Sequence, residues 1–379
     1  MAAQESLRLM LTGDVMTGRG IDQVLGTPSA PQLFESRVRD ARDYVRLAED
    51  VNGSIAGPLP PEYIWGDALS AMERAAPDLR IVNLETAVTA SDDAWPAKGI
   101  HYRMHPANVA CLTAARLDCC VLANNHVLDW GRQGLLDTLQ TLRQAGMHCA
   151  GAGADGDQAW APAAISFDTH SRVLVFAAAT RSSGVPSAWA AAPRRAGVAL
   201  LPDLSEDTAT MLAEDVMRRR VPGDWVVFSI HWGGNWGLDV PELHRAFAHR
   251  LIDLGAADVV HGHSSHHPLP VEVYRGRPIF YGCGDLLNDY EGIRSHGLLR
   301  SDVGCLYFVS LGRDGSGRRA ELRQLDVLPM QTKRFRLNAA DETARSWLES
   351  IFNAGDCRLG PPRAAALPAS WSMVWPGLR

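Results

Sequence analysis

No Cys-x-x-Cys pair occurs in this chain, although it holds seven cysteines. Without that spacing, neither a cysteine-built zinc site nor a dithiol redox centre is expected. An odd cysteine count in 379 residues makes no small disulfide framework. Cys111, Cys119, Cys120, Cys149, Cys283 and Cys305 sit in apolar surroundings, as core thiols of a reducing compartment do. The first residues, Met1 to Ser6, lack a basic n-region, and no apolar run ahead of the first strand is long enough to span a bilayer. A cytoplasmic protein with no membrane partner is the expectation. Positive charge is not in excess either: the formal net charge is -6, which argues against general affinity for nucleic acid. Arg218-Arg219-Arg220 reads as a solvated helix end. Internal repeats and low-complexity linkers are absent too. One domain is expected over residues 1–359, followed by a Pro-rich tail, 360–379; 46% hydrophobic content is enough for a sizeable core.

What the chain does have is a set of short polar clusters, each closing an apolar run. They are Gly13-Asp14, Asn83-Leu84-Glu85, Asn124-Asn125-His126, His231-Trp232-Gly233, Gly262-His263-Ser264-Ser265-His266 and Gly284-Asp285. The runs before them, such as Leu7 to Leu11, Leu79 to Val82 and Trp225 to Ile230, read as buried strands. Helical patterns alternate with these strands, at Asp67 to Ala76, Arg132 to Ala145, Ser205 to Arg219 and Pro241 to Leu254, which predicts an α/β fold. Residues 26–62 form an insert around a helical stretch, Gln32 to Asp50, that could cover the site. From Val271 to Leu328, hairpin signals at Arg275-Gly276-Arg277 and Gly312-Arg313-Asp314-Gly315 predict sequential antiparallel strands forming a second, mixed sheet.

Open α/β sheets carry ligands at the carboxyl ends of their strands. One rim therefore receives carboxylates, an amide and several imidazoles together, and that inventory suits a metal or catalytic centre. A Gly-Asp turn alone is an ordinary structural feature, and Asn-Asn-His alone also reads as a turn with a capping histidine. Glu85 is more informative, because an apolar run does not bury an unpaired carboxylate without a cation or a donor. Asp14, Glu85 and Asn125 make an oxygen-rich set, suited to a hard divalent ion such as Mn²⁺, Mg²⁺ or Ca²⁺. No organic cofactor is indicated. Eleven tryptophans are many for this length, and Trp130, Trp232 and Trp236 lie beside the clusters. Arg19, Arg103, Trp232 and Trp236 are the candidate substrate-binding residues. His101, His105, His261, His267 and His296 are further acid/base candidates.

The ordered series Gly-Asp-Val-Met, Asn-Leu-Glu, Ala-Asn-Asn-His, His-Trp-Gly, Gly-His-x-x-His and Tyr281-Gly282-Cys283-Gly284-Asp285 resembles the CapA family of poly-γ-glutamate capsule synthesis, within the calcineurin-like metallophosphoesterase superfamily. The resemblance covers about Leu7 to Leu328. It implies a four-layer α/β/β/α sandwich with two mixed sheets, metal ligands at Asp14, Glu85, Asn125, His231, His263 and His266, and His126 as proton donor. The first motif departs from the superfamily's Asp-x-His by carrying Met16, so one imidazole is missing from the first metal position. Capsule-synthesis members usually carry a membrane anchor.

Three functions follow as expectations. The chain also resembles the metal-dependent peptide epimerase of lasso-peptide biosynthesis, which inverts the Cα of a C-terminal tryptophan in a ribosomal precursor. In that reading His126, His263 and His296 carry protons, with Asp14 or Asp285 orienting them. A second is metal-assisted hydrolysis of a phosphoester or of a poly-γ-glutamate amide, with a small anionic substrate and His126 as acid. A third is a non-catalytic protein that keeps the ion as a structural centre.

Overall fold

Two sheets face each other, and the apolar alternation of their strands explains why. In the computed structural model, which describes residues 6–167, 171–293, 299–313, 320–363 and 366–376, the larger sheet has ten strands. Its path runs Arg358–Gly360, Trp371–Val374, Ala320–Lys333, Val303–Arg313, Ser6–Val15, Leu79–Leu84, Cys119–Val121, His148–Ala150. Asp285–Leu287 pairs in parallel onto the end of Ser6–Val15, and Arg336–Ala339 pairs with Ala320–Lys333. The smaller sheet has six strands in the order Val271–Tyr274, Arg277–Phe280, Val259–His263, Trp225–His231, Arg172–Ala179, Ala163–Ser166. Both sheets are mixed: the strands that carry the polar clusters run parallel, and antiparallel strands flank them.

Alternation along each strand sorts the layers. In Trp225–His231, Trp225 and Val227 join Leu9, Leu11, Phe280 and Tyr307 in the core shared by the two sheets. Val226, Phe228 and Ile230 face the other way, onto Leu212 and Val216 of helix Glu206–Arg219 and Phe247 and Leu251 of helix Glu242–Asp253. Helix Asp67–Ala75 and helix Glu342–Phe352 bury Met72, Leu348 and Phe352 with the larger sheet. The result is the expected α/β sandwich. The expectation that the strands from Val271 onward form a sheet of their own is corrected. The hairpin Val271–Tyr274/Arg277–Phe280 extends the sheet of His231 and His263, whereas Val303–Arg313 and Ala320–Lys333 pair beside Ser6–Val15.

The switch between sheets happens at Tyr281-Gly282-Cys283-Gly284. Cys283 N–H donates to Gly262 in one sheet (2.9 Å), and the next carbonyl, Gly284, accepts from Asp14 N–H in the other (3.0 Å). Both glycines are required by this crossing. Gly284 has φ +76°, and a Cβ on Gly282 would lie 2.1 Å from the Ser265 hydroxyl. Gly13 is as confined, because its Cβ would meet the Gly284 carbonyl at 1.9 Å.

In the insert, the helix is confined to Arg42–Asn52. Residues 32–40 instead fold back, with Leu33 N–H donating to the Arg39 carbonyl (2.9 Å), so that Leu33 packs on Ala41 and Tyr44. Beyond residue 360, Trp371–Val374 is stitched to Ala320–Lys333, and Leu367, Trp371 and Met373 are buried. No helix among the described residues is long and apolar enough to cross a membrane.

Gly13→Ala tests the crossing. The added methyl forces apart the strand end carrying Asp14 and the Gly284 turn, so stability should fall by about 1–3 kcal/mol, measured by urea denaturation. Unchanged stability would show that this seam yields easily.

Candidate metal centre

Asp14 ends the first strand fully buried. Asn83 Nδ2 donates to its Oδ1 (2.7 Å), and Asn124 Nδ2 in turn donates to Asn83 Oδ1 (3.0 Å), so two amides hold this carboxylate in place. Its other oxygen, Oδ2, is buried with no donor, as is Oε2 of Glu85. Burial, then the neighbouring Asp285 carboxylate, pushes the Asp14 carboxyl up to about 7. Burial, then the charge of Asp14, raises Glu85 well above the usual carboxylate range. Protein donors alone do not satisfy these oxygens. The chemistry fits a cation.

The histidines of the smaller sheet make the same demand. His261 Nε2 donates to the Thr12 carbonyl across the gap between sheets (2.9 Å). Burial pulls His261 down to about 4, so the ring is neutral near pH 7 and its Nδ1 accepts from the Ser229 hydroxyl (3.0 Å). With that hydrogen used, Ser229 Oγ accepts from His263 Nε2 (2.9 Å), which leaves His263 Nδ1 bare. His231 Nε2 donates to Asn125 Oδ1 (3.0 Å), so its Nδ1 is bare as well. The two bare nitrogens lie 2.7 Å apart. Two lone pairs at that distance need a proton or a cation between them. Burial first, and the neighbouring imidazoles next, hold both rings well below the usual imidazole range, which disfavours the proton.

Ligand atoms of Asp14, His231 and His263 lie within 4.8 Å of one another, and so do those of Asp14, His266 and Asp285. Asp14 is common to both groups. Asp285 Oδ1 lies 2.9 Å from His266 Nδ1, and its Oδ2 accepts from Asn288 (2.9 Å). Burial alone would lower His266, but the Asp285 carboxylate outweighs it and raises the ring. Asn235 Nδ2 meets His266 Nε2 at 3.0 Å.

His126 borders this group without joining it. Its Nε2 and that of His231 each lie 3.8 Å from Glu85 Oε1. Its Nδ1 is 2.7 Å from Asp129 Oδ2, and Asp129 Oδ1 forms an ion pair with Lys98 at 2.6 Å. Burial pulls His126 down to about 4 despite that carboxylate. Burial works against Asp129, but His126 and Lys98 hold it below the usual range. A cavity of about 480 Å³ opens over these groups, lined by Lys98, Asn125, His126, Asn235, Trp236 and His266 among others.

The candidate substrate residues divide. Trp236 lines the cavity, its ring 5.2 Å from that of His266. Trp232 points into the core, stacked on His244 (4.4 Å) and donating to the Tyr281 carbonyl (2.8 Å), so it does not face substrate. Arg19 borders the cavity, but its guanidinium is taken up by Asp289, Glu35 (2.9 Å) and Tyr44 (3.0 Å). Arg103 ties the Ser91 carbonyl (2.6 Å), Asp92 (2.7 Å) and the Ala30 carbonyl (3.2 Å) together over Trp130. Both arginines brace the insert. His101, His105 and His267 hydrogen-bond locally, to Trp95, Ala107 and Pro268. His296 lies outside the described residues. Sequence reasoning missed Lys98, Asp129 and Ser229. Asp129, three residues beyond His126, carried the only local signal.

A separate depression of about 630 Å³, lined by Arg220, Asp224, Asp258 and Arg277 among others, sits at the opposite end of the same strands. Arg220 and Asp258 pair there at 2.8 Å.

The family model described as bacterial capsule synthesis protein PGA_cap matches residues 8–290. A probable polyglutamine synthesis accessory protein of Mycobacterium tuberculosis is 47% identical over 353 residues, spanning 93% of this chain and 92% of its own. The PGA biosynthesis protein CapA of Bacillus subtilis is 27% identical, over 86% of this chain and 73% of its own. The capsule biosynthesis protein CapA of Bacillus anthracis is 24% identical, over 77% and 62% respectively.

Two measurements check the centre. Asp14 and Glu85, both raised, must lose their protons to hold an ion, so Mn²⁺ affinity should rise with pH through about 7. The raised folded-state pKa also means that the ion-free protein loses stability as pH climbs toward 7, so thermal stabilisation by Mn²⁺ should be larger at alkaline than at acidic pH. A flat affinity profile in calorimetry would refute the assignment. Ser229→Ala removes the group that fixes the His263 tautomer and should weaken Mn²⁺ binding about tenfold or more. Unaltered affinity would remove Ser229 from the relay.

Proposed function

This chain belongs to the bacterial capsule synthesis protein PGA_cap family, and we propose that its rim is a metal-dependent catalytic centre that hydrolyses amide linkages of a glutamate polymer. The observation that carries this is a conjunction. Two buried carboxylate oxygens without donors adjoin an acid/base imidazole, His126, that faces the same cavity. A structural ion needs the carboxylates; it does not need His126. The bacillar relatives are named for PGA biosynthesis and capsule biosynthesis, which, with PGA read as poly-γ-glutamate, supports a polymer of linked glutamates as the substrate class.

Asp14, Glu85, Asn125, His231 and His263 would hold the ion or ions; His266, the sixth ligand the resemblance implies, has both nitrogens engaged by Asp285 and Asn235 and would border the ion instead. The mixed oxygen and nitrogen set suits Mn²⁺ better than Ca²⁺. A divalent ion there supplies Lewis acidity toward an amide oxygen and toward water.

The proton steps belong to the protein. Asp129 receives the Nδ1 hydrogen of His126, which leaves Nε2 as the base that takes a proton from the attacking water. The same nitrogen returns it to the departing amide nitrogen. Asp129 stabilises the imidazolium formed in between, and Lys98 restrains Asp129. Trp236 screens the His266 side of the cavity.

The peptide epimerase reading needs a second proton carrier facing His126 across a Cα. Among the described cavity residues the other imidazole is His266, and both its nitrogens are engaged, by Asp285 and Asn235. His296, another proton carrier of the epimerase reading, lies outside the described residues; hydrolysis needs only described ones and is the reaction proposed.

Incubation of the Mn²⁺-loaded chain with γ-linked glutamate oligomers in D₂O, followed by mass spectrometry, separates these readings. Shortened chains are expected, with His126→Ala lowering kcat about 10²–10⁴-fold. Intact oligomers carrying deuterium at Cα would replace hydrolysis by epimerisation. Intact, unlabelled oligomers would sink the catalytic reading.

A further inference from the structure

The cavity above the metal centre does not end at its own walls. It shares Glu35, Tyr44, Gly99, Ile100 and Ile293 with an outer groove of about 640 Å³ formed along the insert. Phe34, Ile100 and Ile293 stand 40%, 46% and 43% exposed in this groove. Large apolar side chains clustered on a surface and continuous with a reaction cavity mark a binding surface.

Charge identifies the occupant. The acids nearest this groove are already engaged: Glu35 accepts from Arg19 (2.9 Å) and Tyr44 (2.5 Å), Asp40 pairs with Arg42 (2.5 Å), and Asp43 pairs with Arg46. Arg37 and Arg39 line the part of the groove that the metal cavity does not share; both are exposed, and neither has an ion-pair partner among the described residues. An apolar floor that ends in two uncompensated guanidiniums suits a chain with aliphatic stems and repeated carboxylates.

We infer that an acidic polypeptide substrate runs from the metal centre along this groove, with carboxylates several units from the reacting bond held by Arg37 and Arg39. The inference rests on the polymer reading above and adds where the chain lies and which residues sense its length. Exposed ion pairs are individually weak and salt-screened, so the effect should emerge only with oligomers long enough to reach both arginines.

The test is fluorescence anisotropy with the full, Mn²⁺-loaded chain and labelled γ-linked glutamate oligomers of about three and about twelve units, at low and at moderate salt. The wild type should bind the longer oligomer about tenfold more tightly, less so as salt rises. Arg37→Glu with Arg39→Glu should abolish that preference, and Arg37→Lys with Arg39→Lys should keep most of it; Mn²⁺-dependent thermal shifts verify that each variant is folded. The inference is overturned if the charge reversal leaves the length preference intact, or if neutral γ-linked isoglutamine oligomers, with α-carboxamides in place of the α-carboxylates, bind as tightly as the acidic ones. If the wild type cleaves both lengths but binds them equally, the groove is refuted and the hydrolytic reading stands. If it binds and cleaves neither, both fall.

Discussion

Burying a carboxylate oxygen without a donor costs several kcal/mol, roughly, and this protein does so twice within one cluster, at Asp14 and Glu85. The bare imidazole nitrogens of His231 and His263 add a third uncompensated site. A cation resolves all three at once, because the carboxylates need positive charge and the nitrogens need an acceptor for their lone pairs. The surrounding polar groups are consistent with that single requirement. Asn83 and Asn124 hold Asp14 and Ser229 fixes His263, while the oxygen and nitrogen turned toward the centre stay open.

The same requirement explains why the centre sits where two sheets meet. A single sheet edge presents its strand ends in one row and cannot surround an ion. Here the larger sheet supplies Asp14 and Glu85, the smaller one supplies His231 and His263, and the hydrogen bond from His261 to Thr12 ties the two across the gap. The crossing at Tyr281-Gly282-Cys283-Gly284 delivers Asp285 to the larger sheet immediately after a strand of the smaller one. Ligand geometry and sheet packing are therefore one property, and a distortion of the seam is felt at the ion.

Much of this was legible because the relevant signals are local. An apolar run followed by Gly-Asp, Asn-Asn-His or His-Trp-Gly specifies a buried strand and the polar group at its end, with no knowledge of neighbours. What needed the structure depends on contacts between distant segments. Lys98 reaches Asp129 from a loop with no regular pattern, and Ser229 looks like any small residue inside a strand until His261 and His263 flank it. Arg19 sits beside the first motif and reads as a substrate anchor; only the folded insert shows that Glu35 and Tyr44 claim its guanidinium. Trp232 misleads for a simpler reason. Period-2 alternation places it on the face opposite His231, toward the helices. The late hairpins were visible as hairpins, but their division between sheets depends on pairing partners 19 to more than 300 residues away.

In the proposed reading, chemistry and substrate choice sit on different parts of the molecule. The ligands and the proton carrier occupy strand ends and the turns that follow them, and interlocking hydrogen bonds make them rigid. The outer groove is lined mainly by residues 34–47 of the insert, which is braced by Arg19 against Glu35 and Tyr44 and by Asn52 against Glu291. Loops held by a few buried ion pairs tolerate sequence change that strand ends in a packed seam do not. Altering the exposed residues of that groove would change which chain enters while leaving the ion and His126 in place. On that proposal, the insert is the segment in which a protein of this architecture would acquire a new substrate without rebuilding its reaction.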